Sequence, residues 1–203
     1  LINCYSTAKV TGYSNVGGLS GYCYTELKDI RNCYSSGIVS AGSYGGGLVG
    51  SGFPNINNSF YDIETSTQTD TKGTPKTTLE MKDINTYLNA SWDFANVWAI
   101  SSSVNNGYPC FRSQISSSTA PIIGTLSFDA AAFEASCSVT QLGSPLSYSY
   151  GFCYSTTNTT PTVDDDKFDL GGCGTTGEFK TKFTGLNSNT MYYVRAYITN
   201  AKT

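Results

Sequence analysis

The chain has 203 residues, with 12 basic and 15 acidic side chains, a net charge of -3 and no histidine. Without histidine it cannot form a Ser-His-Asp triad, a His-Glu-x-x-His zinc motif or most other transition-metal sites. The slightly acidic balance provides no basic surface for the phosphates of a nucleic acid. We therefore expect a protein that is not an enzyme, needs no cofactor and has no nucleic-acid partner.

The composition favours a β-rich protein. Charged residues make up only 13% of the chain, aromatic residues reach 13%, and there are 21 glycines. Tyr and Phe are enriched in strands, and glycine is common at their turns and corners. No apolar run approaches the roughly 20 residues that a membrane-spanning helix needs. We expect a mainly β protein with no membrane span in this chain.

The first sixty residues contain an internal repeat. Asn3–Ser6 (Asn-Cys-Tyr-Ser) returns 29 residues later as Asn32–Ser35, and the glycine-rich run Val16–Gly21 returns at the same spacing as Gly45–Gly50. A third, closer-spaced copy begins at Asn58. A period of this length predicts a stacked β-solenoid, because one copy alone cannot bury its apolar face.

In such a stack, equivalent residues of successive copies lie about 4.8 Å apart. The pattern therefore predicts Cys4 next to Cys33 and Tyr5 next to Tyr34. The paired glycines suit corners where the backbone adopts positive φ or another chain segment approaches closely. Leu19 then fills the interior after the first glycine pair.

These residues also resemble a known family. Val-Gly-Gly-Leu-x-Gly followed by Asn-Cys-Tyr-Ser is similar to the GLUG motif of bacterial surface proteins, and the resemblance extends over residues 1–112. It implies a short right-handed β-solenoid, or β-helix, in an extracellular adhesin-like protein. Some relatives in that family are attached to immunoglobulin-cleaving metallopeptidases.

The segment after the repeats is predicted to cap them, because an uncovered stack exposes strand edges. Thr77 and Glu80 form a capping-box pattern for a helix over residues 78–89. Met81, Ile84 and Leu88 fall on one face of that helix and are expected to cover the last coil. Short Trp-rich strands follow over residues 92–100.

Residues 113–121 read as a linker, and residues 122–203 as a second domain. The second domain contains alternating apolar runs near 125–128, 135–139, 149–154, 178–183 and 192–198, which are typical of strands. Five visible strands in this length favour a sandwich of about seven.

The end of the second domain resembles fibronectin type III modules. The run Phe183–Tyr197 is similar to their Leu-x-Pro-x-Thr-x-Tyr-x-Val-Arg-Ala pattern, with Ser188 where proline is usual. The resemblance implies an immunoglobulin-like (Ig-like) sandwich. It also implies that the hydroxyl of Tyr192 or Tyr193 ties an inter-sheet loop to a strand.

The chain has seven cysteines, so at least one lacks a partner within it. The spacing allows a disulfide from Cys137 to Cys153 or from Cys153 to Cys173 and does not decide between them. Zinc binding is not expected, since no cysteine pair has the spacing of a zinc knuckle and there is no histidine.

Acidic residues suggest two weaker alternatives. A cluster of carboxylates could bind calcium through hard oxygen ligands, although the spacing lacks the alternation and glycine of an EF-hand; its members are Asp164, Asp165, Asp166 and Asp169. Asp62, Glu64 and Asp70 are the carboxylates available for acid-base chemistry beside the repeats. They lie where the repeat decays, and we interpret them as non-catalytic.

Aromatic residues in the variable segments between repeated positions are the candidate ligand contacts, because aromatic faces can stack on sugars. They are Tyr13, Tyr22, Tyr24 and Phe53. The alternative is that these rings cover neighbouring coils.

The preferred interpretation is a non-catalytic adhesin-like module, secreted by a bacterium or held on its surface, that presents or binds an extracellular glycan or host protein. The alternative is an accessory or spacer segment of a larger surface enzyme, such as a peptidase or a polysaccharide hydrolase. Because the chain begins inside a repeat and ends where a last strand would begin, we also expect further domains in a longer protein.

Overall fold

A computed structural model describes residues 1–24, 29–70 and 72–200. The protein is mainly β and divides into two compact units, Leu1–Trp92 and Asp93–Thr203. The predicted linker at 113–121 lies inside the second unit. The predicted start of a further strand, at residues 201–203, lies outside the described residues.

The first unit contains ten strands and three short helices among its described residues. The strands are β1 (Tyr5–Ser6), β2 (Val10–Gly17), β3 (Ser20–Cys23), β4 (Asp29–Arg31), β5 (Tyr34–Ser35), β6 (Val39–Gly46), β7 (Val49–Gly52), β8 (Asn55–Asn57), β9 (Phe60–Asp62) and β10 (Thr74–Lys76). The helices are α1 (Ile63–Ser66), α2 (Thr78–Met81) and α3 (Ile84–Leu88).

Every strand pairing in the first unit is parallel and follows the repeat. β2 pairs β6, β3 pairs β7 and β4 pairs β8, while β1, β5, β9 and β10 form one four-stranded sheet. The predicted neighbours Tyr5 and Tyr34 are in register, and their rings stack with centroids 5.2 Å apart. Cys4 lies beside Cys33, because Tyr34 N–H donates to the Cys4 carbonyl. Both pairing predictions are confirmed.

The asparagine that opens each copy has a conformational role that the repeat alone did not reveal. Asn3, Asn32 and Asn58 have φ of 52°, 52° and 48°. Asparagine tolerates this left-handed region better than most residues. Each copy therefore turns at its asparagine before entering the strand of the four-stranded sheet.

The predicted glycine corners depend on close approach rather than on positive φ. A Cβ on Gly17 would collide with the Ser20 carbonyl, and one on Gly46 with the Val49 carbonyl. Gly47 lies against the ring of Tyr61. Leu48, which follows Gly47, is fully buried in the core of this unit, whereas its counterpart Leu19 is half-buried.

The predicted cap is present but consists of two helices rather than one over 78–89. Thr77 and Glu80 form the expected capping box for α2. Asp83 then leaves helical geometry, and its carboxylate accepts a hydrogen bond from Asn85 N–H, which starts α3. Competition between this local cap and the helical backbone breaks the predicted helix in two.

Met81 and Ile84 are buried as expected, whereas Leu88 is only half-buried. Tyr87 was not predicted to face the core, yet it is fully buried and packs edge-on against Phe60 at 5.5 Å. Trp92 closes this unit, and its indole N–H donates to the Asn58 carbonyl at 2.8 Å.

The second unit contains nine strands among its described residues. They are β11 (Trp98–Ala99), β12 (Cys110–Phe111), β13 (Ile122–Ile123), β14 (Ser127–Asp129), β15 (Glu134–Gln141), β16 (Ser149–Ser155), β17 (Asp166–Asp169), β18 (Gly177–Lys182) and β19 (Tyr193–Thr199). Two 3-10 turns occur at Asn105–Gly107 and Arg112–Gln114. Of the Trp-rich strands predicted over 92–100, only β11 forms, and it pairs with β12.

Residues 122–200 contain seven strands, the number expected. All five predicted runs overlap strands, and β13 and β17 are the two additions. Strands β13, β14 and β18 pair with β15, while β17 and β19 pair with β16, and every pairing is antiparallel. Phe152 of β16 and Phe179 of β18 join one buried core.

Hydrogen bonds explain why the second unit begins at Asp93, ahead of the predicted linker. Leu146 N–H donates to the Ile100 carbonyl, and the Arg112 guanidinium donates to the Asn200 carbonyl. Thr119 and Ser144 exchange two backbone hydrogen bonds. The segment 93–121 is therefore attached to the strands that follow it.

Candidate functional site

Three of the four predicted ligand contacts lie on, or directly after, one ladder of the first unit. Tyr22 of β3 is in register with Ser51 of β7, and Cys23 with Gly52. Tyr24 and Phe53 directly follow this last register pair along their chain segments. Because alternate residues of a strand share a face, Tyr22 lies on the side opposite the buried Cys23, and the contact between the Tyr22 and Tyr24 rings keeps Tyr24 beside it. We call these three residues the aromatic face.

The aromatic face is open to solvent. Tyr22 is 46% exposed, Tyr24 72% and Phe53 87%. The rings of Tyr22 and Tyr24 meet edge to face, with centroids 4.6 Å apart. Neither Tyr24 nor Phe53 serves as a cover for the neighbouring coil, which was the alternative role for these residues. Adjacent exposed aromatic rings are a feature of interaction surfaces.

Tyr13 belongs to a different ladder. It lies on β2 beside β6 and is 88% exposed, with its ring near Gly42. Tyr44 of β6 is 70% exposed and was missed. It has a φ of 50°, and Asn15 at the equivalent position has 54°. The sequence could have identified Tyr44, since it is an aromatic residue at a position that differs between the copies. The surrounding glycines were interpreted only as corner residues.

The predicted calcium ligands are engaged in local hydrogen bonds. Asp165 accepts from Thr162 N–H at 2.8 Å and from the Asn158 side-chain amide at 2.9 Å. The Thr162 N–H is the main reason that the Asp165 pKa lies below its usual value. Asp169 accepts from Ser149 Oγ and from Gly171 N–H.

The remaining members, Asp164 and Asp166, flank Asp165, and Asp166 opens β17. Within 1–24, 29–70 and 72–200, no group of three His, Cys, Asp or Glu side chains is placed to hold a metal ion. The arrangement is that of an ordered turn.

The carboxylates considered for acid-base chemistry instead hold the backbone. Asp62 is fully buried, caps α1 through Glu64 N–H and Thr65 N–H, and accepts from the Thr78 hydroxyl. Glu64 accepts from Thr78 N–H, and Asp70 accepts from Gly47 N–H at 2.7 Å. These contacts connect the last coil to the segments that follow it.

A polar groove of about 450 Å³ runs beside α2 and α3 and was not predicted. Lys76 and Glu80 form an ion pair of 2.9 Å on its wall. Three asparagines, Asn58, Asn85 and Asn89, also line it. Only tertiary packing brings these residues together, since they come from β8–β9, β10 and both helices.

All seven cysteines have free thiols. The two disulfides left open on spacing, from Cys153 to Cys137 or to Cys173, are not formed. Burial raises the pKa of the Cys33 and Cys110 thiols to about 11. Burial likewise raises the pKa of Cys137, Cys153 and Cys173. Such thiols stay protonated near neutral pH and behave as core residues.

Among the described residues, no helix combines the length and the apolar character needed to cross a bilayer.

No protein-family profile matches the chain, and no solved structure matches it significantly. Over an alignment of 105 residues, the chain is 41% identical to a protein of Evansella cellulosilytica described as a Gly-rich membrane protein. The match takes in 49% of this chain and 9% of that protein. The chain thus corresponds to a small part of a much longer relative.

Proposed function

We propose that the chain is a non-catalytic, adhesin-like module that binds an extracellular glycan through its aromatic face, at a bacterial surface or after secretion. In this proposal the first unit is a short right-handed β-solenoid of the GLUG type. The parallel ladders that repeat the sequence period support that assignment. The part of the second unit that follows residue 121 is a fibronectin type III-like sandwich.

The sandwich assignment is supported by two antiparallel sheets around one core. It is also supported by Tyr192, whose hydroxyl accepts a hydrogen bond from Asn187 N–H at 3.1 Å. That bond runs from the residue immediately before β19 back to the loop five residues upstream, which is the kind of tyrosine tie that the fibronectin type III resemblance implies.

The aromatic face is the observation that carries the binding proposal. A pyranose ring presents a flat patch of C–H groups and a rim of hydroxyls. Rings that are solvent-exposed in the free protein, as in Tyr24 and Phe53, can cover that patch. Ser51, in register with Tyr22, adds a hydroxyl group to the same face. A host protein is the other ligand class that such a surface fits.

A glycan array probed with the full chain tests the proposal. Tyr22→Ala, Tyr24→Ala and Phe53→Ala should each weaken binding to the glycans that are retained by about tenfold, or about 1.4 kcal/mol. Tyr13→Ala is the matched control, because it removes a tyrosine that is even more exposed, at 88%, from another ladder. Binding that survives all three substitutions, or that falls equally with Tyr13→Ala, would reject the aromatic face as the site.

A second candidate function is that of an accessory or spacer segment in a larger surface protein, including a surface enzyme. The observation that favours it is the relative from Evansella cellulosilytica, of which this chain covers 9%. That relative's description as a membrane protein supports the idea that this segment is one part, outside the membrane, of a longer membrane-attached protein. If this function holds, deleting the segment from a full-length protein should change the distance between the neighbouring domains. The isolated chain should then retain no glycan on the array.

A further inference from the structure

Cys4 and Cys33 are held side by side by backbone hydrogen bonds on either side of them. Asn3 N–H donates to the Arg31 carbonyl at 3.1 Å, and Tyr34 N–H donates to the Cys4 carbonyl at 3.1 Å. Adjacent strands lie about 4.8 Å apart. This separation falls within the Cα distance of about 4.4–6.8 Å that a disulfide spans.

The two thiols also point the same way. Cys4 Sγ donates to the Ile2 carbonyl at 3.3 Å, and Cys33 Sγ donates to the Arg31 carbonyl at 3.1 Å. Both side chains therefore make the same bond, to the carbonyl two residues earlier. A disulfide spans a Cβ separation of about 3.5–4.5 Å, slightly less than the strand spacing of about 4.8 Å, so a small approach of the two parallel side chains joins the sulfur atoms.

The other five cysteines lack such a neighbour. Each faces a residue other than cysteine across its ladder or bridge: Cys23 faces Gly52, Cys110 faces Ala99, Cys137 faces Phe179, Cys153 faces Lys167 and Arg195, and Cys173 faces Ser147. The repeat thus creates a single in-register cysteine pair among these ladders.

We propose that Cys4 and Cys33 are a covalent modification site, at which a small-molecule disulfide such as oxidised glutathione links the first two coils. The half-buried Cys4 is reached first. Its thiolate attacks one glutathione sulfur, releases reduced glutathione and forms a mixed disulfide. The buried Cys33 thiol, which is mostly protonated near neutral pH, then gives up its proton as it attacks the Cys4 sulfur, and the second glutathione leaves as the reduced molecule.

The reaction is balanced. Two protein thiols lose two electrons and two protons, and one oxidised glutathione becomes two reduced molecules. The product closes a loop of about 30 residues across the first repeat, which restricts the unfolded chain and stabilises the coils.

The full chain, incubated with oxidised glutathione and then digested without reduction, tests this site by mass spectrometry. We expect one linked peptide pair containing Cys4 and Cys33, with the loss of two hydrogen atoms, and its reversal by dithiothreitol. The thermal midpoint of the oxidised chain should rise by about 5 °C or more.

Serine variants provide the controls. Ser59 occupies the same place in the third copy and donates to the carbonyl of Asn57 at 2.9 Å. Cys4→Ser and Cys33→Ser therefore keep the local hydrogen bond but should lose both the linked pair and the rise in midpoint. Cys23→Ser, in the same unit, should keep both. Glutathione that stays attached to Cys4, or a linked pair between other cysteines, would overturn the proposal.

Discussion

Tyr5 stacks on Tyr34 with ring centroids 5.2 Å apart and ring planes within 3° of each other. The two rings come from equivalent positions of successive repeat copies, and the backbone register sets their separation. The ring centroid of Tyr34 also lies 6.4 Å from that of Trp92 and 6.5 Å from that of Tyr87. The stacked tyrosines therefore pack against the aromatic cluster beneath the cap.

Tyr34→Ala should destabilise the first unit by about 3–5 kcal/mol, because it empties a fully buried ring site. Urea unfolding followed by tryptophan fluorescence in a Trp98→Phe background would report on Trp92 and hence on this unit. Tyr13→Ala, which removes an exposed ring, should change stability by less than about 0.5 kcal/mol. Equal effects of the two substitutions would contradict the burial of Tyr34.

Asn32→Ala should cost about 1 kcal/mol, because alanine is strained at a φ of 52°. Asn32→Gly should cost less, since glycine adopts positive φ without a Cβ clash. The same urea titration measures both variants. If alanine is tolerated better than glycine, the left-handed turn does not account for the repeated asparagine.

Tyr61 should make the first unit sensitive to alkaline pH. Burial raises its pKa from 10 to about 12, and Asp70 adds to the increase. The folded state thus favours the neutral phenol, whose contribution to stability is complete below pH 10 and disappears as pH rises towards 12.

The free energy of unfolding should therefore fall by up to about 2–3 kcal/mol more for the native chain than for Tyr61→Phe between pH 10 and 12. Below pH 10, Tyr61→Phe should be less stable than the native chain by about 1 kcal/mol, because the Asp70 carbonyl loses its hydrogen bond from the tyrosine hydroxyl. If the free energy of unfolding of the two chains falls equally between pH 10 and 12, Tyr61 is not the source of the alkaline sensitivity.

Ser147→Ala should be neutral or slightly stabilising. The Ser147 hydroxyl is buried and has no hydrogen-bond partner among the residues that the structure describes. Removing an unpaired buried hydroxyl relieves its desolvation penalty.

The matched control is Ser149→Ala, two residues along the chain. Ser149 Oγ donates to Asp169 at 2.8 Å and lies 3.3 Å from the Tyr197 hydroxyl. This substitution should cost about 1–3 kcal/mol, because it leaves buried polar groups unpaired. Thermal unfolding of both variants compares them directly, and a greater loss for Ser147→Ala would refute the assignment.

Local pattern was enough to predict much of the fold. The spacing of Asn-Cys-Tyr-Ser gave the parallel register of Tyr5 with Tyr34, because identical copies pair best when their buried side chains coincide. Alternation of apolar residues located five of the seven strands between residues 122 and 200. The two additional strands, β13 and β17, are short and mostly exposed, and so lack that alternation.

Other features depended on contacts between distant residues. The helix predicted over 78–89 is divided at Asp83, where a side-chain cap replaces the helical backbone bond. The boundary between the units lies at Trp92–Asp93 and not in the Ser-rich segment 113–121, because Ile100 and Arg112 form hydrogen bonds with residues far along the chain. Composition along the chain does not encode such partners.

The candidate site shows the same division. Exposed aromatic residues at variable repeat positions could be named from the amino-acid order, since a repeat distinguishes residues that must stack from those that need not. Which of them lie near one ladder required three dimensions, because the register of β3 with β7 ends at Cys23 and Gly52, directly before Tyr24 and Phe53, while Tyr13 lies on another ladder. Periodicity is a local property, whereas the meeting of side chains from separate strands depends on how the whole chain packs.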